Sequence, residues 1–262
     1  MTDPIDEQVD EPADEPEHES EHAAVMERLD VIDHPDADDP ASPSATVVLA
    51  RDGEDELEVL MIHRGAETAF GGMWAFPGGV IEEDDIPAGT EPDPLPAARR
   101  AAVRETQEEL GLHIDEASLV WWSHWLPPAD SPRRFSTWFF LAPGGDRHAD
   151  EHVAVDGDEV IVHEWIAPAN ALARQAAGEI LIAPPTFITL EQLHRYGDVA
   201  SALAAADPQH FATEIAFGSD GVRICLWEGD ASYGLGDPMV QGPRRRLVMD
   251  EAAGWRYLNT VG

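Results

Sequence analysis

The stretch that most constrains this chain is Pro96–Leu112, PAARRAAVRETQEELGL, taken together with Phe76-Pro77-Gly78-Gly79 upstream. Helical spacing places Glu105, Glu108 and Glu109 at i, i+3 and i+4, so three carboxylates share one face. Such crowding is repulsive unless a cation sits among them. Val103, Thr106 and Leu110 fall on another face, suited to packing on a sheet. Gly111 supplies a C-terminal stop. A Glu-rich amphipathic helix standing alone is ordinarily a solvated surface. The glycine-rich turn ahead of it changes that reading, because hard divalent cations take oxygen ligands and a bare glycine lets a backbone carbonyl approach.

Around this segment the hydrophobic pattern alternates strands with helices. Strands are expected at Thr46–Ala50, Leu57–Ile62, Leu119–Leu126, Phe135–Leu141 and Glu159–Ile166. Helices are expected from Pro168 to about Ala177, over Pro185–Tyr196 and over Asp198–Ala206, with Pro168 at a first helical turn. Ala212–Trp227, interrupted at Gly218–Gly221, reads as a hairpin, and Arg245–Tyr257 as a further strand pair. The fold class is therefore α/β, a mixed sheet sandwiched by helices. Residues 1–42 are rich in Asp, Glu and Pro and are expected to be a disordered acidic tail, with one short helical turn at Val25–Ile32. Residues 43–262 form the expected folded domain, including a C-terminal extension from about 208 to 262.

The formal net charge is -36, and all 16 basic residues are Arg. Such a field repels long polyanions, so no nucleic-acid partner is expected. No apolar run approaches the roughly 20 residues of a membrane span, and no signal peptide is evident. Cys225 is the only cysteine. It excludes an intrachain disulfide and reads as a small core residue, consistent with a cytoplasmic protein.

Arg104-Glu105-Thr106-Gln107-Glu108-Glu109-Leu110-Gly111-Leu112 matches the second half of the Nudix box, and the chain resembles the Nudix hydrolases. That resemblance implies an α/β/α sandwich with a mixed central sheet and metal-dependent hydrolysis of a diphosphate link. It assigns Glu105, Glu108 and Glu109 as Mg²⁺ or Mn²⁺ ligands, one of them doubling as base. Gly78 would offer a carbonyl ligand, and Arg104 would orient the carboxylates. The usual box has a Gly, five residues, a Glu and seven residues before the Arg. Counting back from Arg104 puts that Glu at Pro96, so an insertion is expected at roughly Asp84–Pro96, with Glu82, Glu83 or Glu91 supplying the missing acid.

A lengthened box is similar to that of the coenzyme A diphosphatase subgroup. Gly72, three residues, then Phe76-Pro77-Gly78-Gly79 matches part of the motif of coenzyme A-specific members, although Leu60-Met61-Ile62-His63 replaces its start, and the C-terminal Thr260-Val261-Gly262 is not a peroxisomal signal. The expected partner is a small nucleotide-type substrate: coenzyme A or acyl-CoA first, with ADP-ribose, NADH or a nucleoside triphosphate as alternatives. An idle Nudix fold used for sensing is the reading of a different class. A homodimer is expected by analogy alone.

The remaining candidates each have a bland reading beside the functional one. Arg64 is a phosphate or ribose ligand. Arg133 and Arg134 either clamp a phosphate or offset surface acidity. Glu159 and Glu164 are either a late catalytic acid or strand-end charges. His124 among Trp121, Trp122 and Trp125 reads as a packed histidine rather than a base, and these tryptophans as core rather than a stacking platform. Arg244-Arg245-Arg246 either reaches a 3′-phosphate or forms a charged strand edge.

Overall fold

The computed structural model describes residues 41–66, 70–86, 94–131, 134–145, 153 and 160–261. Residues 1–40 of the expected tail, Glu91, Arg133 and Glu159 lie outside them, as does the turn expected at Val25–Ile32, while Ser42, expected in the tail, begins a strand.

Strand β1 (Ser42–Asp52) is the axis of the fold. Its odd positions Ala45, Val47 and Leu49 enter one apolar cluster and its even positions Val48 and Ala50 enter the other. A strand buried on both faces must be apolar almost throughout, which is how this run reads. It begins at Ser42 rather than Thr46 because it pairs in parallel with β6 (Phe135–Pro143) from Ser42↔Phe135 to Ala50↔Pro143. β2 (Leu57–Arg64) returns antiparallel to β1 and carries β3 (Trp74–Ala75) and β7 (Val160–Ile166). The short β4 (Gly78–Val80) pairs with the start of β1, Thr46 opposite Gly78. β5 (Val120–Leu126) joins β6, and β8 (Gln209–Ala212) lies parallel beside β5. The sheet is mixed, as expected.

One face is covered by α1 (Pro94–Leu110). Its Ala97, Ala98, Ala101 and Ala102 are buried, and such small side chains let the helix sit close to the β1 backbone. Thr106 satisfies its buried hydroxyl on the Ala102 carbonyl at 2.7 Å. Gly111, at φ 67°, ends the helix, its N–H returning to Gln107 O at 3.0 Å.

The other face holds α2 (Pro168–Ala176), α3 (Pro184–Leu193) and α4 (Val199–Ala204). The expected hairpin and strand pair both form: β9 (Glu214–Phe217) with β10 (Arg223–Leu226), and β11 (Arg245–Asp250) with β12 (Gly254–Asn259). Pairing of β10 with β11 merges them into a second, four-stranded antiparallel sheet. Cys225 and Leu247 of this sheet, and Trp227 just after β10, lie in the same core cluster as Trp125 and Phe211. Among the described residues no helix is long and apolar enough to cross a membrane.

Candidate active site

The site forms where β4 meets α1. A Cβ on Gly79 would overlap the carboxylate of Glu105, so that carboxylate lies directly over bare backbone. A Cβ on Gly78 would strike the Ala45 carbonyl and Thr46. Gly78 is therefore required by the close approach of the β1 backbone, whereas a side chain at Gly79 would displace the Glu105 carboxylate. The Gly78 N–H donates to Glu109 Oε2 at 2.9 Å, fixing the turn to the helix.

Arg104 is the hub of the carboxylates. Its Nη1 donates to Glu105 Oε1 at 2.8 Å and Glu108 Oε2 at 2.9 Å, and its Nη2 to the Val80 carbonyl at 2.9 Å. Its Nε and Nη2 reach Asp85 Oδ1 and Oδ2 at 3.2 and 3.0 Å. The hydrogen bond it donates to Asp85 leads the effects that hold this guanidinium far above its ordinary pKa, against desolvation, so it is permanently charged. These bonds hold Arg104 against the carboxylates of Glu105 and Glu108.

Asp85 was not among the expected acids. It is buried in a short 3-10 turn (Glu83–Asp85), where it also accepts from the Glu82 N–H at 2.8 Å. Glu82 and Glu83 are exposed, Glu91 falls outside the described residues, and Asp85 holds the position facing Arg104. Counting forward from Gly79 finds it: five residues, 80–84, separate them, which is the family's spacing with Asp in place of Glu. The insertion therefore lies wholly after Asp85. Eighteen residues, 86–103, precede Arg104 where the box has seven, which makes eleven extra.

Glu109 is the most enclosed of the three glutamates, its side chain 3% exposed against 14% for Glu105 and 58% for Glu108. Burial pushes its pKa up to about 7, outweighing the Arg64 charge and the Gly78 hydrogen bond that favour the anion. Arg64 Nη1 donates to Glu109 Oε1 at 3.0 Å and lies 3.5 Å from the Gly78 carbonyl. The residue expected to meet a phosphate or ribose thus contacts a box glutamate.

No three of His, Cys, Asp and Glu are gathered as a ready-made metal cluster among the described residues. Arg104 draws Glu105 and Glu108 to itself, and Arg64 draws Glu109. The donor set nonetheless fits a hard dication: three helix carboxylates, two of them largely desolvated, beside a glycine-lined turn.

The other candidates are placed elsewhere. Glu164 pairs across β2 with Met61, on the face opposite α1, and bonds Arg174 at 2.8 Å. Arg134 sits at the entry to β6, its carbonyl accepting from Ser42 N at 2.8 Å. His124 stacks on Trp138 at 4.2 Å and meets Ser136 Oγ at 2.8 Å; burial, aided by the His210 charge, lowers its pKa to about 4. Trp122 donates to Gln192 and Trp125 to Ser123, as core residues. Cys225 is buried and its thiol is pushed up to about 12, so it is no nucleophile. Arg246 is neither phosphate ligand nor strand-edge charge: it is buried, bonded to Asp230 through Nε at 2.7 Å and Nη2 at 2.5 Å, and to Ser232 Oγ at 3.0 Å.

A profile of the NUDIX domain matches residues 40–182, the span that holds the turn, Asp85 and the helix. The chain belongs to the Nudix family. Among curated proteins, this Nudix chain is 26% identical over 254 residues to a putative nudix hydrolase 7 of Caenorhabditis elegans, covering 79% of each. It is 30% identical over 164 residues to an acyl-coenzyme A diphosphatase, NUDT19, of Gallus gallus, covering 56% of this chain and 43% of that protein. It therefore spans less than half of that relative. Among solved structures, a NUDIX hydrolase from Alicyclobacillus acidocaldarius superposes with a TM-score of 0.54 at 24% identity, covering 64% of this chain and 97% of that one. The fold is that of the Nudix hydrolases, and the chain is a hydrolase of pyrophosphate bonds in nucleoside-diphosphate derivatives.

Proposed function

We propose that this Nudix hydrolase cleaves coenzyme A or acyl-CoA, giving 3′,5′-ADP and (acyl-)phosphopantetheine. The observation that carries the reading is the eleven-residue enlargement between Asp85 and Arg104, the feature by which the chain resembles the coenzyme A diphosphatase subgroup. Similarity to an acyl-coenzyme A diphosphatase supports it.

Glu105, Glu108 and Glu109 would hold Mg²⁺ or Mn²⁺, with the Gly78 carbonyl beside them. When bound, the dication neutralises the diphosphate oxygens and acidifies the attacking water. Arg104, braced by Asp85 and the Val80 carbonyl, fixes the aim of Glu105 and Glu108. Arg64 and the Gly78 N–H fix that of Glu109. One of these carboxylates takes the proton of the water as its oxygen bonds to phosphorus. The P–O bond of the anhydride breaks, and each product leaves with a terminal phosphate.

Product analysis over CoA, acyl-CoA, ADP-ribose, NADH and nucleoside triphosphates with Mg²⁺ or Mn²⁺ tests this. CoA cleaved in preference to the others is the expected result; ADP-ribose cut while CoA is ignored overturns it. No turnover of any diphosphate would favour the sensing role.

A further inference from the structure

Phe70 is the one non-glycine residue with positive φ, 60°, among the described residues, and the residue is 44% exposed. Both facts run against expectation. A bulky side chain avoids the left-handed region, and a large aromatic ring is ordinarily buried. Gly71 and Gly72 follow immediately, so residues suited to such backbone stand next to the position that does without one. A strained residue that keeps an exposed ring points to a use for the ring.

The surroundings say where that use lies. The Phe70 carbonyl accepts from Met73 N at 3.1 Å, Gly72 N donates to the Arg64 carbonyl at 3.0 Å, and Arg64 N donates to the Met73 carbonyl at 3.0 Å. The turn bearing Phe70 is thereby bolted to Arg64, whose guanidinium holds Glu109. Across from it stands Phe135, with ring centroids 6.0 Å apart and planes tilted by 51°. Phe135 pairs with Ser42 of β1, two positions before Ser44, which pairs with Val80 at the end of the glycine turn. Phe70 thus stands on the turn that fixes Arg64, with Phe135 as its ring neighbour, and remains exposed.

We propose that Phe70, backed by Phe135, is the stacking surface for the adenine ring of the substrate, and that its left-handed backbone is kept to present that ring. The inference rests on an adenine-nucleotide substrate, as in the CoA reading. Base–aromatic stacking tolerates any planar base and needs no polar readout.

The test is titration calorimetry with Phe70→Gly, a substitution that suits the backbone and removes the ring. Its melting temperature should equal or exceed that of the wild type, since glycine relieves the conformation. Its affinity for AMP and for 3′,5′-ADP should fall about 5- to 150-fold, the range set by loss of one stacked base. Affinity for phosphopantetheine should not change, and Phe70→Trp should restore nucleotide binding. Unchanged nucleotide affinity in Phe70→Gly, or an equal loss for phosphopantetheine, overturns the proposal. AMP separates the two readings. Wild-type protein that binds AMP but neither binds 3′,5′-ADP nor cleaves CoA refutes the substrate assignment and leaves the effect of Phe70→Gly on AMP to decide the stacking role. Wild-type protein that binds no adenine nucleotide overturns both.

Discussion

Replacing Asp85 by Ala removes the acceptor of two charge-assisted hydrogen bonds from Arg104, at 3.2 and 3.0 Å, and of the Glu82 N–H at 2.8 Å. Hydrogen bonds to charged groups contribute about 1.5–3 kcal/mol each in buried settings. Asp85 is 5% exposed and Arg104 22%, so screening is modest. Arg104 nonetheless keeps Glu105, Glu108 and the Val80 carbonyl, and is not left as an unpaired buried charge. The net loss is therefore nearer one such bond than two, about 2–3 kcal/mol. For a chain of this size that lowers the melting temperature by about 5–10 °C. The larger consequence is functional. Without its brace Arg104 can rotate, and Glu105 and Glu108 move with it. Loss of an outer-shell partner of metal-binding side chains typically costs about 10- to 100-fold in metal affinity or activity. Mg²⁺ titration and diphosphatase assays on Asp85→Ala, beside Glu82→Gln and Glu83→Gln, measure this. Only the Asp85 variant should lose activity. A larger loss in either glutamate variant, or wild-type behaviour of Asp85→Ala, would refute the assignment of Asp85 as the acid of the box.

Three further outcomes follow from the same geometry. Glu109 is pushed up to about 7 by burial, so in metal-free protein it is protonated below that pH and must lose its proton to hold a cation; apparent Mg²⁺ affinity should rise about tenfold between pH 6 and pH 8, with proton release on binding, measured by calorimetry in two buffers. Gly79→Ala places a methyl group on the Glu105 carboxylate and should cut turnover by about 100-fold, a near-wild-type rate being the refuting result. Arg246→Ala removes the guanidinium paired with the buried Asp230 carboxylate, leaving it the Ser232 and Arg245 N–H donors, and should destabilise the fold by about 3–5 kcal/mol in denaturant titrations. Against the opposing pull of desolvation, hydrogen bonds from Arg246, Ser232 and Arg245 depress Asp230 to about 2; the stability it contributes is present above its unfolded value near 4 and is lost as pH falls through 2.

The local parts of this molecule were legible in its sequence and the partnerships between distant parts were not. The acid face of α1, its Gly111 stop and the strands of the central sheet follow from periods of 3.6 and 2 and from glycine chemistry. Asp85 is hidden from a count back from Arg104 because the insertion intervenes, whereas the spacing forward from Gly79 reaches it. The Arg64–Glu109 contact spans 45 residues and depends on β2 ending beside β4, which no local pattern records. Likewise Arg244-Arg245-Arg246 resembles a surface charge run, and only the course of the β10–β11 connection brings Asp230 beneath Arg246. The two C-terminal strand pairs were evident, but their merger through β10 and β11 depends on tertiary packing.

The most direct test of the central claim is identification of the products formed from coenzyme A by purified protein with Mg²⁺, alongside Glu109→Gln. The account predicts 3′,5′-ADP and phosphopantetheine from the wild type, and a rate lower by at least ~100-fold in the variant. Intact coenzyme A after incubation with the wild type, or full activity in Glu109→Gln, would contradict it.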